Sequence, residues 1–164
     1  IQVDSTVGEG TRFDIFLPAI DTAEAEPTTT TATLPHGNGE LILVVDDEFA
    51  IRHICQDLLV AHNYRVITAE SGQQALSLFR NQCSDISVVI TDFLMPGMSG
   101  SELIRLLRSL RANLKVIAIS GMTSDESVHR PPAGVIADAF LPKPFSAEEL
   151  LRFVHEAVTE PAGQ

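Results

Sequence analysis

Short apolar runs in this 164-residue chain end repeatedly on side chains that can do chemistry. Asp46, Asp47 and Glu48 follow LILVV, Asp92 follows VVIT, Ser120 follows VIAI, and Lys143 lies just past FLP. Carboxylates crowded at one edge raise each other's proton affinity unless a cation joins them, and a hard divalent ion with oxygen ligands meets that need. Magnesium (Mg2+) is the ion expected, because it keeps several waters and takes one or two protein carboxylates, with a phosphate oxygen completing its octahedron. Asp92, at the mouth of the central apolar strand, is suited to attack phosphorus and form an aspartyl phosphate. Charge building on the transferring oxygens needs fixed donors, which the metal, the Lys143 ammonium and the Ser120 hydroxyl would supply from three sides.

These residues act together only if the elements carrying them share one edge. Strands are expected at Leu41–Val45, Val66–Thr68, Val88–Ile90, Val116–Ile119 and Ile136–Leu141. LILVV, VVI and VIAI are apolar at successive positions, as in a parallel sheet covered on both faces by helices. Between strands, Ile51, Ile54, Cys55, Leu58 and Leu59 mark one amphipathic face, and Leu103, Leu107 and Leu110 another. The order is βα repeated five times, an α/β class with a doubly wound five-stranded parallel sheet whose ligands gather beyond the carboxyl ends of its strands. Capping boxes mark four helix starts, at Ser71/Gln74, Ser99/Glu102, Thr123/Glu126 and Ser146/Glu149. Pro131 and Pro132 must end the fourth helix early, leaving it short and comparatively mobile.

Composition narrows the function. Of the residues, 45% are apolar, enough for one full-sized core, since single domains most often run to roughly 100–150 residues. Twenty-two acidic residues against 11 basic ones give a formal charge of -11, which repels a phosphate backbone, so no nucleic-acid partner is expected. Cys55 and Cys83 sit far apart with no CxxC spacing, which gives no support to a disulfide framework or a zinc site and fits a reduced, cytoplasmic setting. No apolar run approaches the roughly 20 residues that span a bilayer, so no membrane contact by this segment is expected.

VVDDE at 44–48, TDFLMPGMSG at 91–100, ISG at 119–121 and FLPKPF at 140–145 resemble the receiver domains of two-component response regulators, over residues 41–157. The flavodoxin-like fold follows from that resemblance. It implies that Asp92 is the phosphoacceptor, that Asp46 and Asp47 hold magnesium with Asp92 and the backbone carbonyl of Leu94, and that Ser120 and Lys143 bind the phosphoryl group. It also implies a switch: the Ser120 hydroxyl moves toward the new phosphoryl oxygens, Phe140 turns inward, and the surface of the fourth helix, fifth strand and fifth helix changes. The family often has threonine and tyrosine at these two positions, so the switch here is expected to be less sharply two-state. Lys143–Pro144 is expected to be a cis peptide. Leu94 and Met122, two beyond Asp92 and Ser120, are apolar and cannot position an attacking water, so self-dephosphorylation is expected to be slow. The partners implied are the phosphohistidine domain of a histidine kinase, a histidine phosphotransfer protein, or both.

The first 20 residues point elsewhere. IQVDSTVGEGTRFDIFLPA resembles the closing hairpin of a histidine-kinase ATPase domain, with Gly8, Gly10, Thr11 and Phe13 in its last glycine motif. The chain opens on Ile1, in what reads as mid-strand, so the segment is expected to come from a hybrid histidine kinase, whose other parts could anchor it at a membrane. Without the asparagine-bearing helix, the DxGxG element or the ATP lid, no ATP binding is expected. The hairpin's exposed edges leave pairing with another chain, as in a strand-swapped dimer, or disorder as outcomes. Residues 21–39, with a threonine run, two prolines, two glycines and only acidic charges, read as a flexible linker, residues 40–160 as the receiver and 161–164 as a tail.

Plainer readings stand beside these. Singly, Asp47 could be a helix N-cap, Lys143 a solvated loop charge, Ser120-Gly121 a turn and Phe140 a core aromatic. His155-Glu156 resembles a phosphorylated histidine-acid pair, but the proline-containing motif does not follow, and the structural reading is preferred. A haloacid-dehalogenase-like phosphohydrolase would need two aspartates two apart after the first strand, and here the pair is adjacent. A receiver used only for docking would be expected to have lost an acid or the lysine, and none is lost.

Overall fold

The computed structural model of the chain describes residues 1–16, 34–121 and 137–159. The chain divides into two compact units, Ile1–Ala32 and Thr33–Gln164. In the first, β1 (Gln2–Thr6) and β2 (Gly10–Asp14) form an antiparallel hairpin in which Val3 lies opposite Phe13. Gly8 and Gly10 take φ of 88° and 109°, values open to glycine at little cost, so the tight turn fits their positions.

The second unit is a five-stranded parallel sheet in the order β4-β3-β5-β6-β7, built from β3 (Leu41–Val45), β4 (Arg65–Ala69), β5 (Ile86–Asp92), β6 (Lys115–Ser120) and β7 (Ala139–Pro142). Helices α1 (Phe49–Ala61), α2 (Gly72–Asn81), α3 (Gly100–Leu110) and α4 (Ala147–Thr159) are described. The continuous apolar runs are explained by two cores. Leu43 and Val45 of β3 face Phe79 of α2 and Leu107 of α3, whereas Ile42 and Val44 of the same strand face Leu59 of α1 and Val154 of α4. The expected five-stranded, doubly wound sheet is what the chain adopts. Thr123/Glu126, Pro131, Pro132, Met122 and Ile136 lie outside the described residues.

The serine caps form with differing completeness. Ser146 and Glu149 close a reciprocal box, with Glu149 N–H donating to Ser146 Oγ at 3.2 Å and Ser146 N–H to Glu149 Oε2 at 2.7 Å. At α2, Ser71 accepts from Gln74 N–H, but the Gln74 amide oxygen reaches back one residue further, to Glu70 N–H at 2.8 Å. At α3, Ser99 caps Glu102 N–H at 3.3 Å, and its hydroxyl also lies 2.9 Å from that of Ser101. Helix α1 differs from all three, starting at Glu48 with no side-chain cap bond.

The end of the expected linker is tied to the sheet. Gly37 N–H donates to His62 O at 2.9 Å, Gly39 N–H to Asn63 O at 3.0 Å, and Arg65 N–H to Glu40 O at 2.9 Å. The Asn63 amide returns a bond to Gly37 O at 2.7 Å, and Leu34 packs on the α1/α4 core. A Cβ at Gly37 would stand 2.4 Å from the Tyr64 ring, so glycine is the residue that lets the backbone lie there. Local polarity favours a linker, but backbone groups with partners win over composition. A chain begun at Leu41 is therefore expected to lose about 2 kcal/mol of unfolding free energy relative to one begun at Thr33, measured by urea titration; equal stability would refute the anchoring.

Candidate functional site

Sheet register builds the site. Val45 is level with Thr91, Asp92 with Ile119, and Ser120 with Pro142. Asp46, Asp92, Ser120 and Lys143 thus stand at or one residue beyond the last rungs of neighbouring strands, at the carboxyl edge. Strand order reverses between β3 and β5, the position at which open α/β sheets leave a crevice for ligands.

Lys143 joins the acids. Its Nζ donates to Asp92 Oδ2 at 2.6 Å and to Asp46 Oδ2 at 3.0 Å, and lies 3.7 Å from Glu48 Oε1. The remaining oxygens have backbone partners: Glu48 N–H donates to Asp46 Oδ1 at 2.8 Å and Leu94 N–H to Asp92 Oδ1 at 2.9 Å. Burial is uneven, with side-chain exposures of 1% for Asp46, 9% for Asp92 and 19% for Lys143. Burial pushes the Asp46 carboxyl above its ordinary value, against the opposing pull of the Glu48 N–H and Lys143. At Lys143 burial pulls the ammonium down, but hydrogen bonds and charges from Asp92 and Asp46 more than reverse it, and the net shift is upward. The two shifts pull the pair in opposite senses, favouring the neutral acid and the charged base. Burial prevails at Asp46 because that carboxylate lies deeper than its partner. Burial, with the Asp46 charge adding to it, also pushes the Cys55 thiol up to about 11, which keeps it protonated and unreactive.

The donor set fits a hard divalent cation. Carboxylate oxygens of Asp46, Asp47 and Asp92 all lie within 4.8 Å of one another, and Asp47 is exposed while the other two are buried. The set contains no thiolate or imidazole, and three carboxylates meet a single ammonium there, leaving negative charge that a divalent cation would balance.

The other residues expected at the site fall into place less evenly. Ser120 is half-buried at the end of β6, and its carbonyl accepts Lys143 N–H at 2.7 Å. Leu94 touches Asp92 through its N–H, and its side chain is 62% exposed. Phe140 is half-buried against the α2/α3 core, and Lys143–Pro144 is a cis peptide.

Three further residues hold the site, and residue type alone did not single them out. Thr91, fully buried, donates its hydroxyl to Asp92 O at 3.0 Å. Gly100 packs so close that a Cβ would stand 2.2 Å from the same carbonyl, and its N–H donates to Phe93 O at 3.1 Å. Arg52 donates from Nη1 to Asp46 O at 2.5 Å. The only sequence signals were a glycine directly after a cap serine and a cation five residues beyond an acid pair.

A raised folded-state carboxyl binds its proton more tightly folded than unfolded, so the Asp46 charge subtracts stability at neutral pH, and the deficit fades as pH falls from the raised folded-state value to the ordinary carboxylate value. Without divalent cations, Asp46→Asn is therefore expected to be more stable than wild type at pH 7, the difference vanishing by about pH 4. Urea unfolding in chelator at both pH values reads this, and a variant less stable at pH 7 would contradict it.

Comparison with known proteins places this geometry among relatives. Residues 42–155 match the response regulator receiver domain profile. The chain is 35% identical to the sensor kinase CckA of Brucella abortus (strain 2308) over 165 residues, 95% of this chain and 17% of that protein. It is 40% identical to the response regulator MprA of Mycobacterium sp. (strain KMS) over 112 residues, 67% of this chain and 46% of that protein. The chain therefore spans less than half the length of either relative. The crystal structure of the receiver domain from the hybrid histidine kinase CckA superposes with a TM-score of 0.60 at 31% identity, covering 73% of this chain and 99% of that one.

Proposed function

The chain belongs to the response regulator receiver domain family of two-component signalling, and from that premise we propose that Asp92 accepts a phosphoryl group from a phosphohistidine beside a bound magnesium ion. The observation that carries this reading is the Lys143 ammonium held at 2.6 Å from Asp92 Oδ2 and 3.0 Å from Asp46 Oδ2. In the transfer, an Asp92 carboxylate oxygen forms the new P–O bond as the P–N bond of the phosphohistidine breaks. The imidazole nitrogen leaves with the electron pair and takes a proton from solvent. The Lys143 ammonium and the Ser120 hydroxyl balance charge on the phosphoryl oxygens. Magnesium, held by the Asp46, Asp47 and Asp92 carboxylates and the Leu94 carbonyl, would supply further positive charge when bound. Phosphorylation then draws Ser120 and Phe140 inward and alters the surface made by β7, α4 and the segment before β7.

The parent protein in this reading is a hybrid histidine kinase working in the cytoplasm, with residues 1–20 closing its ATPase domain. Two observations support that. Similarity to the sensor kinase covers 95% of the chain, beyond the receiver match at 42–155. Val3 and Phe13, opposite each other on the hairpin, are 52% and 64% exposed, an apolar face of the kind a missing layer would cover. Phosphohistidine donors dock at the mouth of the site, because the donor imidazole must come within bonding distance of Asp92. There a cavity of about 400 Å3 is lined by Ile51, Ile54, Lys143, Pro144 and Phe145.

Acetyl phosphate with Mg2+ is expected to add one phosphoryl group to the wild type and none to Asp92→Asn, read by intact-protein mass spectrometry. The label is expected to persist for minutes or longer at neutral pH, since the apolar Leu94 cannot align a water; loss within seconds would contradict this. Ile54→Asp is expected to slow transfer from a phosphohistidine protein by about tenfold while leaving acetyl phosphate labelling unchanged. Equal slowing of both would place Ile54 in the chemistry instead of the docking.

A further inference from the structure

Helix α1 departs from α2, α3 and α4 in two ways. Those three begin at serines whose hydroxyls accept a backbone N–H, whereas α1 begins at Glu48 with no side-chain cap bond. Its first turn also carries a cation, Arg52, where the helix macrodipole favours negative charge and where the first turns of the other three carry none. Breaches of local preference concentrate where function imposes another demand.

The demand is visible in the partners of Arg52. Its Nη1 donates to the main-chain carbonyl of Asp46 at 2.5 Å, and its own N–H donates to Glu48 O at 3.1 Å. The Asp46 N–H is held from the other side by Ala69 O of β4 at 3.2 Å. Asp46 is therefore gripped at both its amide and its carbonyl, by two different elements, while its Oδ1 accepts Glu48 N–H at 2.8 Å. The guanidinium is steadied by the Phe49 ring, whose centroid lies 5.8 Å from Cζ.

We propose that Arg52 is a positioning residue for the divalent-cation site: by gripping the Asp46 carbonyl it fixes the Asp46–Asp47–Glu48 turn in the arrangement that brings three carboxylates together. This rests on the reading that Asp46, Asp47 and Asp92 hold magnesium. Two effects of Arg52 have opposite sign. Its positive charge repels a cation, so deleting the charge alone would tighten Mg2+ binding. Its hydrogen bond orders the ligands, and groups that orient metal ligands commonly set affinity by about 10–100-fold. Arg52 is half-buried, so solvent screens its charge while the directed hydrogen bond persists, and the ordering effect dominates.

The test is titration of the whole chain with Mg2+ alone, followed calorimetrically and by the amide NMR signals of residues 46–48, in wild type, Arg52→Met, Arg52→Lys and Asp92→Asn. Arg52→Met is expected to bind Mg2+ about tenfold more weakly despite losing a positive charge. Arg52→Lys, which keeps the charge but lacks the planar fork, is expected to be weakened as well, and it serves if the methionine variant does not fold. Unchanged or tighter binding by a folded Arg52→Met, or by Arg52→Lys in its place, overturns the proposal. Failure of the wild type to bind Mg2+, or an affinity untouched by Asp92→Asn, would instead overturn the reading of the metal site itself.

Discussion

Two buried carboxylates share one ammonium, and the rest of the receiver unit is organised around keeping them there. Lys143 reaches Asp92 at 2.6 Å and Asp46 at 3.0 Å from a position 51 residues beyond the first and 97 beyond the second. Removing the shared ammonium from such a buried cluster leaves two carboxylates uncompensated, at a typical cost of about 3–5 kcal/mol. A wholly apolar edge would be the more stable design. In the proposed function the cluster has a use: charge left over at this edge would attract a divalent cation, and charge developing on a phosphoryl group would call on the ammonium.

The sheet supplies rigidity and the loops supply contact. Parallel strands covered on both faces fix where each carboxyl-terminal residue emerges, and the reversal of order between β3 and β5 opens the crevice. The close approach of Gly100 to the Asp92 carbonyl lets α3 begin directly against the Asp92 peptide. The buried Thr91 hydroxyl grips the same carbonyl from within the strand. Asp138 shows a related economy at the entry to β7: its Oδ2 accepts both Val116 N–H and Arg108 Nη2 at 2.7 Å, so one carboxylate ties the edge strand to β6 and α3.

Much of this was legible in the chain. Strand centres stood out because apolar residues at successive positions have no other use in a small α/β unit, and β3 ran over Leu41–Val45 as its pattern indicated. Strand ends were longer than the apolar runs, since Thr91 and Asp92 pair by backbone whatever their side chains. The acids and the lysine were legible because chemistry restricts residue type. Arg52, Thr91 and Gly100 were not, because they act through backbone carbonyls, which every residue possesses. The segment at 34–39 misled for a related reason: glycine, asparagine and histidine suggest a loose tether, yet their backbone groups bond to His62 and Asn63.

The role of Asp92 is tested most directly by where a phosphoryl mimic settles. A crystal structure of the chain grown with Mg2+ and beryllofluoride is predicted to show beryllium bonded to an Asp92 carboxylate oxygen. Lys143 Nζ would then lie against a fluorine, and the metal between the Asp46, Asp47 and Asp92 carboxylates. An unmodified Asp92 still paired with Lys143, with the ion bound elsewhere or absent, would contradict it.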